Sequence, residues 1–97
     1  MIVSFKNKST EDIFNGKNSQ EARKVCSASI CKVATRKLDQ INVATTLNDL
    51  RAPPNNRLEA LAGDRKGQHS IRINDQYRIC FIWTNTGANQ VEIVDYH

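Results

Sequence analysis

Ninety-seven residues, 39% of them hydrophobic and 25% charged, supply one core and too little chain for two, so residues 1–97 are expected to form a single domain. The formal charge of +4 favours an acidic partner, nucleic acid or an acidic protein, but also serves solubility and decides nothing alone. Met1 leads directly into alternating residues, and no apolar run approaches the length of a membrane span; a cytoplasmic protein with no membrane partner is expected.

"MIVSF" alternates and predicts a first strand. "STEDIFN" follows, with Ser9 or Thr10 ahead of Glu11 as a helix start and Gly16 as its stop. From Ser19 to about Asn42, apolar or small residues at Ala22, Val25, Cys26, Ser29, Val33, Leu38 and Ile41 recur at helical spacing. Glu21, Arg23, Lys24, Lys32, Arg36 and Lys37 fall on the other side, so one long amphipathic helix is expected. "TTLNDL" adds a further turn, and the two prolines of "RAPPNNR" then stop helical structure in a surface loop.

Beyond that loop the period changes to two. "GQHSIRI", "YRICFIW" and "NQVEIVDY" read as strands, separated by "NDQ" and "NTGAN", whose Asn, Asp and Gly suit short hairpin connections. With the N-terminal strand they predict an α+β domain: a small antiparallel sheet of about four strands, helices on one face and the other face uncovered. Period two places Ile71, Ile73, Ile79, Phe81, Trp83, Val91 and Ile93 toward the helices. Arg72, Arg78, Cys80, Ile82, Glu92, Val94 and Tyr96 then fall on the outer side, with Asp95 and His97 at the strand end.

Several residues have ordinary readings. Cys26, Cys31 and Cys80 are an odd count without C-x-x-C spacing, and there are two histidines; no disulfide framework, no metal site and no cofactor are expected, and the cysteines read as small buried hydrophobes. His69 reads as structural or solvent-facing, Trp83 as core, and Gly63 and Gly67 as a turn holding Arg65 and Lys66 at a loop tip. Any one arginine on an alternating strand is most simply its solvated half. Two guanidiniums and a phenol gathered on one side, with an imidazole at the strand end, are harder to dismiss.

Cleaving an RNA phosphodiester needs a group to take the 2′-hydroxyl proton, cations for the charge growing on phosphate, and a donor for the departing 5′-oxygen. Arg65, Lys66, Arg72 and Arg78 offer the charge, arginine in a fork that matches phosphate. An imidazole such as that of His97, with an ordinary pKa of about 6.5, exchanges protons near neutrality. Tyr96 offers a phenol or a stacking ring, and Asp95 a carboxylate to orient the imidazole. A positioned acid or base is worth about 10²–10⁴ in rate, so the set implies modest catalysis unless a partner preorganises the RNA.

The run "LAGDRKGQHSIRINDQYRICFIW…VEIVDYH", together with the opening "MIVSF" and the stretch "LNDLRAPPNNRLEAL", resembles the HigB branch of the RelE/ParE toxin superfamily over the whole chain. The resemblance implies a toxin that enters the decoding site of the 70S ribosome and cuts mRNA without a metal, silenced by a cognate HigA-type helix-turn-helix antitoxin. It places Arg78 in the family's catalytic or phosphate-binding position and Asp95, Tyr96 and His97 in its terminal catalytic motif. Some members carry a histidine and a lysine where this chain has Glu59 and Ala62; Glu59 is then a candidate base, and Arg57 a candidate replacement cation. A ParE-like inhibitor of DNA gyrase and a non-catalytic RNA- or protein-binding module are the alternatives.

Overall fold

The structure is a computed structural model that describes residues 1–25 and 27–95. Three helices, α1 (Lys8–Phe14), α2 (Gln20–Val25) and α3 (Ala28–Val43), precede an antiparallel sheet of β1 (Glu59–Ala60), β2 (His69–Arg72), β3 (Tyr77–Thr84) and β4 (Gly87–Asp95) in sequential order. The α+β class and the four strands agree with expectation, but the first of the four is Glu59–Ala60 and not the N-terminal segment.

That segment instead runs parallel beside β4 and touches it at two isolated bridges, Ile2 to Ala88 and Phe5 to Val91. A bulge is the reason. Cys80 pairs with Glu92 and Ile82 with Asn89, which leaves β4 one residue too many, taken up where Gln90 adopts φ 54°. The displaced Gln90 amide donates to the Ser4 hydroxyl at 2.9 Å and so interrupts a regular ladder. At Gly87, φ is +127° and a Cβ would stand 2.2 Å from the Met1 carbonyl oxygen, so only glycine lets the two chains close here.

The helices also start where local hydrogen bonding dictates. Asn7, not Ser9 or Thr10, caps α1, its side chain accepting from the Thr10 amide at 3.0 Å. This leaves the buried Thr10 hydroxyl to accept from the Ile93 amide at 3.0 Å, which joins α1 to β4. The expected single helix from Ser19 to Asn42 is two. The Ser19 hydroxyl caps α2 by accepting from Ala22, and Ser27 stands extended (φ −72°, ψ 169°) at the start of α3 with its hydroxyl against that of Ser29. Closely spaced serines offer the backbone an alternative to helix.

Period two is obeyed in the sheet. Ile71, Ile79, Phe81, Val91 and Ile93 are buried against Ala34, Leu38 and Ile41 of α3 and Ile13 of α1. Each large side chain so buried contributes about 1.5–3 kcal/mol. Trp83 is half-buried and meets Phe81 edge-on with ring centroids 6.4 Å apart. Asn74 organises the β2–β3 turn, its side chain accepting from the amides of Gln76 at 2.9 Å and Tyr77 at 2.7 Å. The further turn expected at "TTLNDL" is a 3₁₀ turn, Leu47–Arg51, on which Thr46 and Asp49 form a capping box; the "RAPPNNR" loop after it holds a cis Ala52–Pro53 peptide and a second 3₁₀ turn, Pro54–Asn56.

Three expectations need correction. Lys37 lies on the buried side of α3, only 3% exposed, because its ammonium finds carbonyl acceptors in Asn55 and Asn56; burial, and then Arg36 and Arg72, push it below the usual lysine range. Cys80 is buried as expected, whereas Cys31 is half-buried and disulfide-bonded; Cys26 lies outside the described residues. The sheet face away from the helices is not bare. Ser70 and Cys80 are fully buried there and Arg78 and Glu92 are each 9% exposed, because residues 57–66 and Lys6 close over them.

Candidate functional site

The polar face is built from cross-strand triplets. Ser70, Cys80 and Glu92 are neighbours in register across β2, β3 and β4, as are Arg72, Arg78 and Val94 one step along. Small Ser70 and Cys80 form a floor beside which the long side chain of Arg78 lies down. Its Nε donates to Ser70 Oγ at 2.8 Å and its Nη2 to the Arg57 carbonyl oxygen at 2.7 Å, while Nη2 stands 4.0 Å from Glu59 Oε2. Anchored at both Nε and Nη2, the guanidinium has its plane fixed. A bond from a charged donor contributes about 1.5–3 kcal/mol, and such pinning keeps the cation from reorganising when a phosphate arrives.

Glu92 organises the other end of the face. Its Oε1 accepts from Arg65 Nη1 at 2.9 Å and lies 3.7 Å from Lys6 Nζ. Arg65 also donates to Gln68 Oε1 at 3.1 Å, which ties the tip of the Gly63–Arg65 turn down over the sheet. Arg72 stands opposite Arg78 in register but is bonded to Asp75 in the following turn, so part of its charge is answered locally.

The predicted residues are thus only partly gathered. Arg78, Arg57 and Glu59 meet directly, and Arg65 and Arg72 flank them. Arg57 takes part through its carbonyl, its side chain being exposed, and Lys66 is exposed at the end of its turn. Asp95 ends β4 opposite Tyr77, on the side of the strand away from Arg78, and accepts from Gln76 Nε2 at 3.0 Å. Tyr96 and His97 lie outside the described residues. Ser70 and Lys6 escaped the sequence reading, and Glu92 was placed on this face but given no role. Ser70 was accessible to it: a small hydroxyl residue two positions before Arg72 falls on the arginine face by alternation.

Among the described residues, no group of three or more His, Cys, Asp or Glu side chains is placed to hold a metal ion, and no helix is long and apolar enough to cross a membrane.

Short helices laid on one face of a four-stranded antiparallel sheet make an α+β build that matches the RelE-like toxins. Residues 3–97 match the family described as the RelE-like toxin of type II toxin-antitoxin system HigB. The chain is 38% identical over 85 residues to the toxin HigB-1 of Vibrio cholerae serotype O1, across 88% of this chain and 86% of that protein. It is 41% identical over 64 residues to an uncharacterized protein of Haemophilus influenzae, across 66% of this chain and 63% of that one. The chain belongs to the HigB-like family of toxins of type II toxin–antitoxin systems, and a cognate antitoxin is its implied partner.

Proposed function

We propose that this toxin is a ribosome-dependent endoribonuclease that cuts mRNA by acid–base catalysis without a metal, and that a HigA-type helix-turn-helix antitoxin silences it in the cytoplasm. The observation that carries the reading is the guanidinium of Arg78, buried in a polar sheet face and fixed by Ser70 and the Arg57 carbonyl. A surface arginine kept only for solubility has no need of two such anchors.

In this reading the scissile phosphate lies on the polar face, with Arg78 binding its oxygens and Arg65, Lys66, Arg72 and the side chain of Arg57 drawing the strand in. His97 and Tyr96 exchange the protons of the 2′-hydroxyl and the departing 5′-oxygen, and Asp95 orients the imidazole. Glu59, 4.0 Å from Arg78, is a further candidate for the base. The arginine supplies the charge stabilisation and the 70S ribosome supplies the bent substrate, so a short catalytic set suffices.

Purified protein added to free mRNA and to mRNA on translating ribosomes tests this, with cut sites mapped by primer extension. Cuts confined to ribosome-bound message, and lost in the His97→Ala, Tyr96→Ala double variant, are expected. Intact message together with blocked supercoiling by DNA gyrase would replace the reading with the ParE-like one.

A further inference from the structure

One anchor of Arg78 is a backbone carbonyl, and a carbonyl is only as well placed as its loop. Arg57 has left-handed dihedrals (φ 46°, ψ 59°), uncommon for a residue with a side chain, so this turn has to be held from outside. The hold comes from the preceding residue. Asn56 is fully buried, and its amide nitrogen donates to Gln40 Oε1 at 3.1 Å and to the carbonyls of Leu50 and Ala52 at 3.2 Å each. Its amide oxygen accepts from the ammonium of Lys37 on α3, which also reaches Asn55 Oδ1 at 3.5 Å.

Both ends of the Asn56 amide are therefore engaged, which locks its rotamer and with it the Pro54–Asn56 turn. Lys37 shares the helical face of Ala34, Leu38 and Ile41, where an apolar side chain would pack at lower cost than an ammonium. A buried cation in an apolar layer, bonded to the residue next to an anchor of the site, calls for a purpose beyond packing.

We propose that Lys37 and Asn56 are positioning residues for Arg78: the ammonium on α3 fixes the Asn56 amide, the amide fixes the left-handed turn at Arg57, and the Arg57 carbonyl fixes the guanidinium. The chain of contacts passes around the β1 edge from the helix layer to the polar face. It rests on the reading of Arg78 as the cation that meets the scissile phosphate.

The test is single-turnover cleavage of ribosome-bound mRNA by Asn56→Ala and Lys37→Met, each alone and in an Arg78→Ala background, on protein shown to be folded by circular dichroism. Each single variant is expected to lower the maximal rate about 10- to 100-fold, the usual penalty of a misplaced catalytic group, with half-saturation by ribosomes unchanged. Neither should lower the rate further once Arg78 is gone, because groups acting through one another are not additive. The Arg78 Nε–H resonance in ¹⁵N NMR should shift and exchange faster in both variants. Asn55→Ala, which removes only a 3.5 Å contact of Lys37, should cut at the wild-type rate.

Folded variants that cut at the wild-type rate, losses that multiply with that of Arg78→Ala, or an unmoved Nε–H resonance would overturn the proposal. Should Asn56→Ala fail to fold, Lys37→Met and its resonance decide the matter. An Arg78→Ala protein as active as wild type would overturn the reading of Arg78 itself, which the parent variant reveals independently.

Discussion

On the helix side of the sheet, Ile71, Ile79 and Phe81 are buried against Ala34, Leu38 and Ile41; on the other side Ser70, Cys80, Arg78 and Glu92 are buried nearly as deeply. The first set is closed by apolar area, the second by hydrogen bonds and opposite charges. Apolar packing is non-directional and tolerates small shifts at small cost. Hydrogen bonds to a planar guanidinium are directional, so they hold one group in one orientation and leave an unmet donor expensive when they fail. The difference assigns stability chiefly to one face and geometry to the other.

The largest test of that division is Phe81→Ala. A fully buried phenylalanine on the helix side should cost about 3–5 kcal/mol, read as a fall in the urea midpoint, with the cleavage rate per folded molecule little changed at low temperature. A rate that collapses in protein still folded would break the comparison.

Ser70→Ala is its counterpart. It removes the acceptor of Arg78 Nε, and the expected cost is about 1.5–3 kcal/mol in stability, with a larger proportional loss in ribosome-dependent cleavage than Phe81→Ala shows. Equal cleavage by the two variants would argue that Ser70 is packing alone.

Glu92→Gln should act more gently. Arg65 and Lys6 lose a carboxylate at 2.9 and 3.7 Å, so binding to non-specific RNA should tighten and its dependence on log salt should steepen by up to about one unit. Cleavage should nevertheless fall, since a neutral amide holds Arg65 less firmly over the face than a carboxylate does.

The smallest effect belongs to the helix side and to acid. The Ser19 hydroxyl, and behind it the Lys8 ammonium at 3.3 Å, hold the Asp12 carboxyl below its ordinary value of 3.8 against the opposing effect of burial. A carboxyl whose folded pKa is lowered stabilises the fold above the unfolded value and loses that contribution as pH falls through the folded one. Thermal melts of wild type and Asp12→Asn should therefore differ most at neutral pH and converge below 3.8.

The polar face was harder to read in the chain than the apolar one. Period two in "YRICFIW" places Ile79 and Phe81 in the core and Arg78 opposite them without further information. That Arg78 is buried depends on residues 57–66 folding back, a long-range event that no local period encodes. The N-terminal segment illustrates the same limit: "MIVSF" has a strand pattern, but a bulge at Gln90, set by a left-handed residue more than eighty positions away, reduces it to two bridges. Lys37 was misplaced because a charge pattern is counted as surface unless its acceptor is known, and Asn56 is nineteen residues distant. Recognition of the toxin family, by contrast, rested on strands and turns that local patterns do record.

Single-turnover cleavage of ribosome-bound mRNA by Arg78→Ala and Arg78→Lys, each verified as folded, bears most directly on the claim that a pinned guanidinium runs the chemistry. Both variants should be slower by about 10²–10³, since a lysine restores the charge but neither the fork nor its two anchors. Wild-type rates for Arg78→Ala, or full rescue by lysine, would contradict the account.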